Sequence, residues 1–451
     1  MRRSLRCLPV ALTIAAWTAI LSAAPQQAPP SQPATPRDES IPTIRIVGAA
    51  RPKIPIALPS FQAAGAADPK MQEVARTLHD VVRDDLDFSG YFQIVPEEYL
   101  KLVKDPGGAH PNFKEWLGVG AEALLLAKVD FQPNTIVFEG SVYDTTGQRM
   151  LLGKRYRGEL DQQRLMAHRL SNEIIQQYTG QQGQALTKIA FVSQVGKAKE
   201  IYVMDYDGAR VKRVTANGSI NLSPAWSPDG TLIAFASYRT GQPELMILNN
   251  AGELRKAFPQ SGELNSAPAW SPDGRLLAFA SSRDGNAEIY TLRVADGTLT
   301  RLTHNDAIDT SPAWSPDGTQ MAFTSDRSGA PQIYVMDADG GNARRLTFEV
   351  SYCDSASWSP LGDKIVFTGR VPGGFDLYVV EVRKDLSVGQ IGRLTENSNI
   401  NEWPRWSPDG RHIVFASNRT GSFDIYTMDA DGSNLRRLTR GGNNSSPSWS
   451  R

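Results

Sequence analysis

The side chains in this sequence that could do chemistry recur at a fixed spacing. Counting five residues back from each of six tryptophans gives Asn221, Asn265, Asp309, Cys353, Asn401 and Asn444, with Asp354 beside the cysteine. Carboxamides and carboxylates at one repeated place can open strands as Asx turns, or they can form a polar ring that accepts a partner. An arginine follows the conserved-type phenylalanine by four residues in four repeats, at Arg239, Arg283, Arg327 and Arg419, which suits a turn cap or a bridge between neighbouring units. Asp205-Tyr-Asp-Gly208, Asp337-Ala-Asp-Gly340 and Asp429-Ala-Asp-Gly432 begin like calcium loops but lack the distal glutamate, so they read as hairpin turns. No metal or other cofactor is expected. The histidines (79, 110, 168, 304 and 412) are scattered, and only His304 falls in a loop beside the polar ring. Without a Gly-x-Ser-x-Gly elbow or a His-Glu-x-x-His motif, a non-enzymatic binding protein is the expectation. The alternatives are an exported propeller hydrolase or lyase acting in the channel beside His304, or a propeller that binds a glycan or peptide there.

The elements that must position these residues follow from the repeat. Ser223-Pro-Ala-Trp-Ser-Pro-Asp-Gly230 returns with tryptophans at 226, 270, 314, 358, 406 and 449, at spacings of 44, 44, 44, 48 and 43 residues. Periods of this length mark propeller blades. Each period adds an Ile-Ala-Phe-x-Ser type strand, an Ile-Tyr or Leu-Tyr strand and, in most, an Arg-Leu-Thr strand. Ser-Pro-Asp-Gly is turn chemistry, and the fourth copy departs from it at Leu361. Residues 189–215 supply three strands without a tryptophan strand, and Ser446 to Ser450 supply a tryptophan strand with nothing after it. The last strand therefore closes the first blade, giving a six-bladed β-propeller of four-stranded blades over residues 186–451. The loops around the polar ring differ from repeat to repeat, as a one-sided binding face would.

Ahead of the propeller, residues 41–180 read as a small α/β domain. A strand is expected from Ile54 to Phe61, then a helix capped by Asp68-Pro69, whose Met71, Val74, Leu78, Val82 and Leu86 share one face. A short strand at Tyr91 to Val95, three antiparallel strands between Glu122 and Tyr156, and a helix from Asp161 to Tyr178 complete it. Arg2 and Arg3, the apolar run Leu8 to Leu21 and Ser22-Ala23-Ala24 read as a signal peptide over residues 1–24, followed by a proline-rich linker over 25–40. The chain is thus expected in the periplasm, as a monomer. With 48 basic and 48 acidic residues it has no electrostatic case for nucleic acid. Only Cys353 follows the signal, so no intramolecular disulfide is expected.

The repeats, together with Leu86-Asp-Phe-Ser-Gly-Tyr-Phe-Gln-Ile-Val95, Trp116-Leu-Gly-Val-Gly-Ala-Glu-Ala123, Val142-Tyr-Asp-Thr-Thr-Gly147, Ala167-His-Arg-Leu-Ser-Asn-Glu-Ile174 and Lys188-Ile-Ala-Phe-Val-Ser193, resemble the TolB family of the Tol–Pal system. The resemblance covers residues 44–451. It implies a periplasmic adaptor that binds the peptidoglycan-associated lipoprotein Pal at one mouth of the propeller, peripheral to the outer membrane through Pal. It also implies that Ile44, Arg45, Ile46 and Val47 can engage TolA, and that the process served is outer-membrane integrity and constriction at division. By position, the Pal face includes Asn221, Asn265, Ala267, His304, Asp309, Thr310, Asp354, Asn401 and Asn444.

Overall fold

The computed structural model describes residues 52–451 apart from 65–67, 105–109, 133–134, 260–263, 384–387 and 397–399. The expected signal peptide, the linker and the segment Ile44–Val47 lie outside the described residues.

The N-terminal region is a mixed sheet with two helices on one face. In chain order its elements are β1 (Ile54–Ala57), β2 (Gln62–Ala63), α1 (Pro69–Phe88), β3 (Phe92–Ile94), α2 (Glu97–Leu100), α3 (Phe113–Gly118), β4 (Ala123–Gln132), β5 (Thr135–Asp144), β6 (Arg149–Gly158) and α4 (Gln163–Thr179). The sheet order is β3-β1-β4-β5-β6, with β1 parallel to both neighbours and β4 to β6 antiparallel. The Asp68 carboxylate accepts the Lys70 amide at 2.9 Å, satisfying one of the donors a helix start leaves open. From there Leu78, Val82 and Leu86 of α1, with Leu170 and Ile174 of α4, are wholly buried against Ile56, Leu125 and Phe138 of the sheet. The strand expected over Ile54 to Phe61 is instead two short ones. Pro59 between them has no N–H to give a ladder, and β2 pairs with β4 alone. Two short helices, α2 and α3, went unread because neither is long enough to show a period. They pack Trp116 against Leu124 on the sheet's other face.

The ring has the expected six four-stranded blades. Blade one is made of Lys188–Val195, Ala198–Asp205 and Lys212–Arg213, with Ser445–Trp449 as its innermost strand. Ser448 pairs with Ala190 and Trp449 with Ile189, and the Ser450 amide donates to the Lys188 carbonyl at 2.8 Å. Blades two to six begin with the inner strands Asn221–Trp226, Asn265–Trp270, Asp309–Trp314, Cys353–Trp358 and Asn401–Trp406.

The repeated residue types each join a blade to its neighbour. The phenylalanines (191, 235, 279, 323, 367 and 415) are buried, and Phe323, for example, packs on Ala280 and Ile289 of the blade before. The indole N–H of Trp270, Trp314 and Trp406 donates to the carbonyl of Ala225, Ala269 and Ser357 in the preceding inner strand, at 3.1 to 3.2 Å. In the Ser-Pro-Asp-Gly turns the serine hydroxyl donates to the aspartate at 2.5 to 2.6 Å. That bond holds the Asp229, Asp273 and Asp317 carboxyls below their ordinary range. The Asp-x-Asp-Gly motifs are hairpin turns, and packing dictates their glycines. At Gly432, with φ +86°, an added Cβ would stand 2.6 Å from the Leu394 carbonyl oxygen of the neighbouring blade.

The N-terminal region meets the ring on blades six and one, at the Ser-Pro-Asp-Gly end. Phe88 stacks on His412 with centroids 4.0 Å apart, and the Phe88 carbonyl lies 2.8 Å from its Nε2. The Tyr206 hydroxyl donates at 2.5 Å to Asp85, which also meets His168 Nδ1 at 2.9 Å, all three side chains being buried. Arg411 lies over the Tyr91 ring and donates to the Ser89 carbonyl, and Arg436 pairs with Asp87. Because inner-strand starts pair with second-strand ends, as Asn221 does with Ser237, the polar ring lies at the opposite mouth.

Candidate docking face at the channel mouth

The first residue of each inner strand is the polar ring read from the sequence, and it faces inward rather than to solvent. Asn221, Asn265, Asp309, Cys353 and Asn401 are fully buried, and Asn444 nearly so. They are also not Asx turns opening their own strands: their amides reach back to the preceding blade. Asn221 Nδ2 donates to the Lys199 carbonyl at 3.0 Å and to Glu200 at 3.1 Å, and Asn401 Nδ2 to Asp376 at 2.8 Å. Asn444 Nδ2 donates to Thr439 Oγ1 at 2.9 Å and to the Gly441 carbonyl at 2.6 Å, while Asn265 Nδ2 reaches the Pro243 carbonyl at 3.4 Å. The acid they meet stands one residue before the Ile-Tyr pair. It is held in turn by the arginine and threonine of Arg-Leu-Thr, as Glu200 is by Arg213 and Thr215. This four-residue box anchors the loops that follow blades one, five and six. The sequence shows it once the column before Ile-Tyr is read as a column: Glu200, Glu244, Glu288, Gln332, Asp376 and Asp424.

Three copies depart from the box, each for a local chemical reason. Blade two has no Arg-Leu-Thr, so Glu244 pairs with Arg239 instead and Asn265 Nδ2 reaches the Pro243 carbonyl. Where the acid is Gln332, the next blade opens on Cys353 instead of an asparagine, so neither the charge nor its donor is present. Burial pushes that thiol up to about 12, which leaves it unreactive. Asp309 puts a second carboxylate near Glu288, and Asn305 Nδ2 bridges the two at 2.8 and 3.3 Å. Burial raises the Asp309 carboxyl, against the opposing pull of its hydrogen bonds and of Arg327 at 2.8 Å.

The four arginines after phenylalanine serve their own blades. Arg283, Arg327 and Arg419 lie over the phenylalanine and tyrosine rings of theirs, and Arg239 pairs with Glu244.

What the mouth offers to a partner lies just after the buried ring. Each inner strand breaks register at its third residue, which takes a left-handed conformation without being glycine: Ser223, Ala267, Ser311, Ser355, Trp403 and Ser446, with φ between +49° and +58°. Such conformations cost about 1–2 kcal/mol each for a residue with a Cβ, so the ring holds six strained positions around its axis. The second, third and fifth residues of most inner strands are half-buried there, Ala267, Thr310 and Asp354 among them. His304 is exposed on the loop before blade four. In most blades this wall is small and neutral. Blades five and six differ, with Asp354, Glu402 and Arg405. Glu402 and Arg405 escaped notice because attention fell on the buried first column. A comparison of the second column (Leu222, Ser266, Thr310, Asp354, Glu402, Ser445) would have found the acids.

Among the described residues no cluster of three or more His, Cys, Asp or Glu side chains could hold a metal ion, and no helix is long and apolar enough to cross a membrane.

Known proteins resemble both parts of the chain. The family model described as the TolB amino-terminal domain matches residues 42–151, and that of the TolB beta propeller domain matches 175–384 and 371–451. The Tol-Pal system protein TolB of Desulfosudis oleivorans is 39% identical over 181 residues, 40% of this chain and 41% of that protein. That of Syntrophotalea carbinolica is 38% identical over 178 residues, 39% of this chain and 41% of the relative. These matches therefore span about two-fifths of the curated relatives' length. The crystal structure of TolB from Acinetobacter baumannii superposes with a TM-score of 0.74 at 27% identity, covering 89% of this chain and 97% of that one. With family models over both its α/β region and its ring, the chain belongs to the TolB family.

Proposed function

We propose that this protein is a periplasmic, non-enzymatic adaptor of the Tol–Pal system that docks Pal on the mouth remote from its α/β region. The observation that carries the reading is the build of that mouth. Buried polar side chains at a repeated place fix the loops, most fully around blades one, five and six, and the residues beside the channel differ from blade to blade. A rigid frame with variable side chains is what specific recognition of one protein surface requires. The opposite end is occupied on blades six and one by the α/β region. In this reading Ala267, His304, Thr310 and Asp354 touch Pal, while Asn221, Asn265, Asp309, Asn401 and Asn444 hold the loops that carry them. Ile44 to Val47 would engage TolA, a cleaved signal would deliver the chain, and the process served would be outer-membrane integrity and constriction at division.

The test is calorimetric titration of the purified protein with the soluble domain of the same organism's Pal. Saturable one-to-one binding, weakened by Thr310→Arg or His304→Glu at unchanged melting temperature, is expected. Absence of heat and of a complex on a sizing column, with both proteins folded, would overturn the reading.

A further inference from the structure

The wall of the channel is neutral except at one place. In blade five, Asp354 accepts the Ser311 hydroxyl at 3.0 Å, the Thr324 hydroxyl at 2.8 Å and the Ser355 amide at 2.6 Å. All three fall on Oδ1, two of them from blade four. Glu402 occupies the same column in blade six, yet among the described residues it has no hydrogen bond or ion pair. Thr368 holds in blade five the place that Thr324 holds in blade four: each lies across the ladder from its blade's second inner-strand residue. Its neighbour Val366 packs on blade six, so that face of the strand is turned toward Glu402. Thr368 is 3% exposed and its hydroxyl has no partner. An unpartnered buried hydroxyl turned toward blade six and a half-buried acid thus belong to the same seam between blades five and six.

The local charges leave room for one more cation. Blade five contributes Asp354 and the Tyr352 hydroxyl, with Arg370 exposed at the rim over the outer side of the Tyr352 ring, and Glu402's own strand contributes Arg405. On the other side blade one offers only Ser445 and Ser446. Arg405 donates to the Pro404 carbonyl at 2.9 Å and lies 3.5 Å from that of Ser355, rather than bonding either acid. Within the wall itself, two carboxylates and one guanidinium sum to a single negative charge. Burial and then Asp354 raise the Glu402 carboxyl to about 7, and burial lowers Arg405 to about 10. Burial, more than Asp354, thus brings the Glu402 carboxyl toward neutral pH, where a neighbouring cation would favour its ionised form. Beside the acids, Trp403 packs on Phe423 with centroids 5.9 Å apart, an aromatic wall suited to the methylene stem and charge of a long cationic side chain.

We propose that the blade five–blade six wall, around Glu402 and Asp354, receives a single lysine or arginine side chain that the docking protein inserts into the channel. The inference rests on the reading that Pal docks at this mouth, and it moves the charged anchor of that contact to blades five and six, away from blades three and four.

The test is the affinity for the soluble domain of Pal at pH 6, 7 and 8. A cation at Glu402 favours its ionised form, so binding expels the proton. With a free carboxyl titrating near 7, affinity at pH 6 is expected to be about tenfold weaker than at pH 8. The calorimetric heat should also vary with the ionisation heat of the buffer. Glu402→Gln should abolish the pH dependence at unchanged melting temperature, and Glu402→Lys, which supplies the site with its own ammonium, should weaken binding further. Equal affinity at all three pH values, or the same pH dependence in Glu402→Gln, overturns this inference and leaves Pal docking standing. Absence of binding by the unaltered protein overturns both.

Discussion

Removing Ser446 to Arg451 should unfold far more than six residues. The deletion takes away the inner strand of blade one and with it the closure of the ring. Trp449 is 8% exposed and packs with Phe88, Ile189 and Tyr206, and losing a buried aromatic of this kind costs about 3–5 kcal/mol. Three polar contacts go with it. The Trp449 indole donates to Thr187 Oγ1 at 2.8 Å, the Lys188 amide to Ser450 Oγ at 2.8 Å, and the Ser450 amide to the Lys188 carbonyl. At about 0.5–1.5 kcal/mol each, they bring the loss to roughly 5–9 kcal/mol. That is comparable to the whole stability of an ordinary domain. The truncated protein should therefore melt at least about 10 °C lower, or fail to fold. Scanning calorimetry of the two forms is the assay. A truncated protein melting within about 2 °C of the intact one would refute the closure and the accounting built on it.

Other substitutions probe the box and the seams. Asp309→Asn should stabilise the protein at neutral pH, since it removes a carboxylate that burial disfavours and Asn401 shows that an asparagine there still accepts from its arginine, Arg419. The sign follows from the raised carboxyl. The burial penalty of Asp309 is present above its folded pKa and vanishes below the unfolded one, so the variant's advantage should fade in acid denaturation curves. Asp309→Lys, attractive as a contact probe on sequence grounds, would bury an ammonium and should unfold blade four, seen as lost near-ultraviolet dichroism. Tyr206→Phe removes the donor to a buried carboxylate and should cost about 1.5–3 kcal/mol in chemical denaturation. Leu361→Asp restores the turn its sister blades use, replacing a side chain 73% exposed, and should add about 0.5–1 kcal/mol to thermal stability.

The ring was legible because each blade writes the same residues at the same spacing, and closure followed from a strand missing at one end and spare at the other. The first helix was equally open to reading, since Asp68-Pro69 and a long apolar period announce it. Pro59 hid the break between β1 and β2, and α2 and α3 are too short for any period to show. The site was read in part. Position placed Asn221 and its equivalents at one mouth, but a sequence does not say which way a polar side chain turns, and their burial comes from acids that lie some 20 residues earlier. Glu402 and Arg405 stand out only by contrast with the small residues of the other blades, a contrast that matters once the second column is known to line the axis.

The seam between Phe88, His412, Tyr206 and Trp449 has a mechanical consequence. Among the described residues the α/β region meets the ring at blades six and one, the two blades between which the chain's last strand is inserted. Any pull on the chain ahead of Ile54 therefore reaches the ring through α1 at the joint that holds it shut, while blades three and four lie on the far side of the circle. A tug that loosens the joint would be felt at the mouth as a change in the spacing of blades, without any movement inside one.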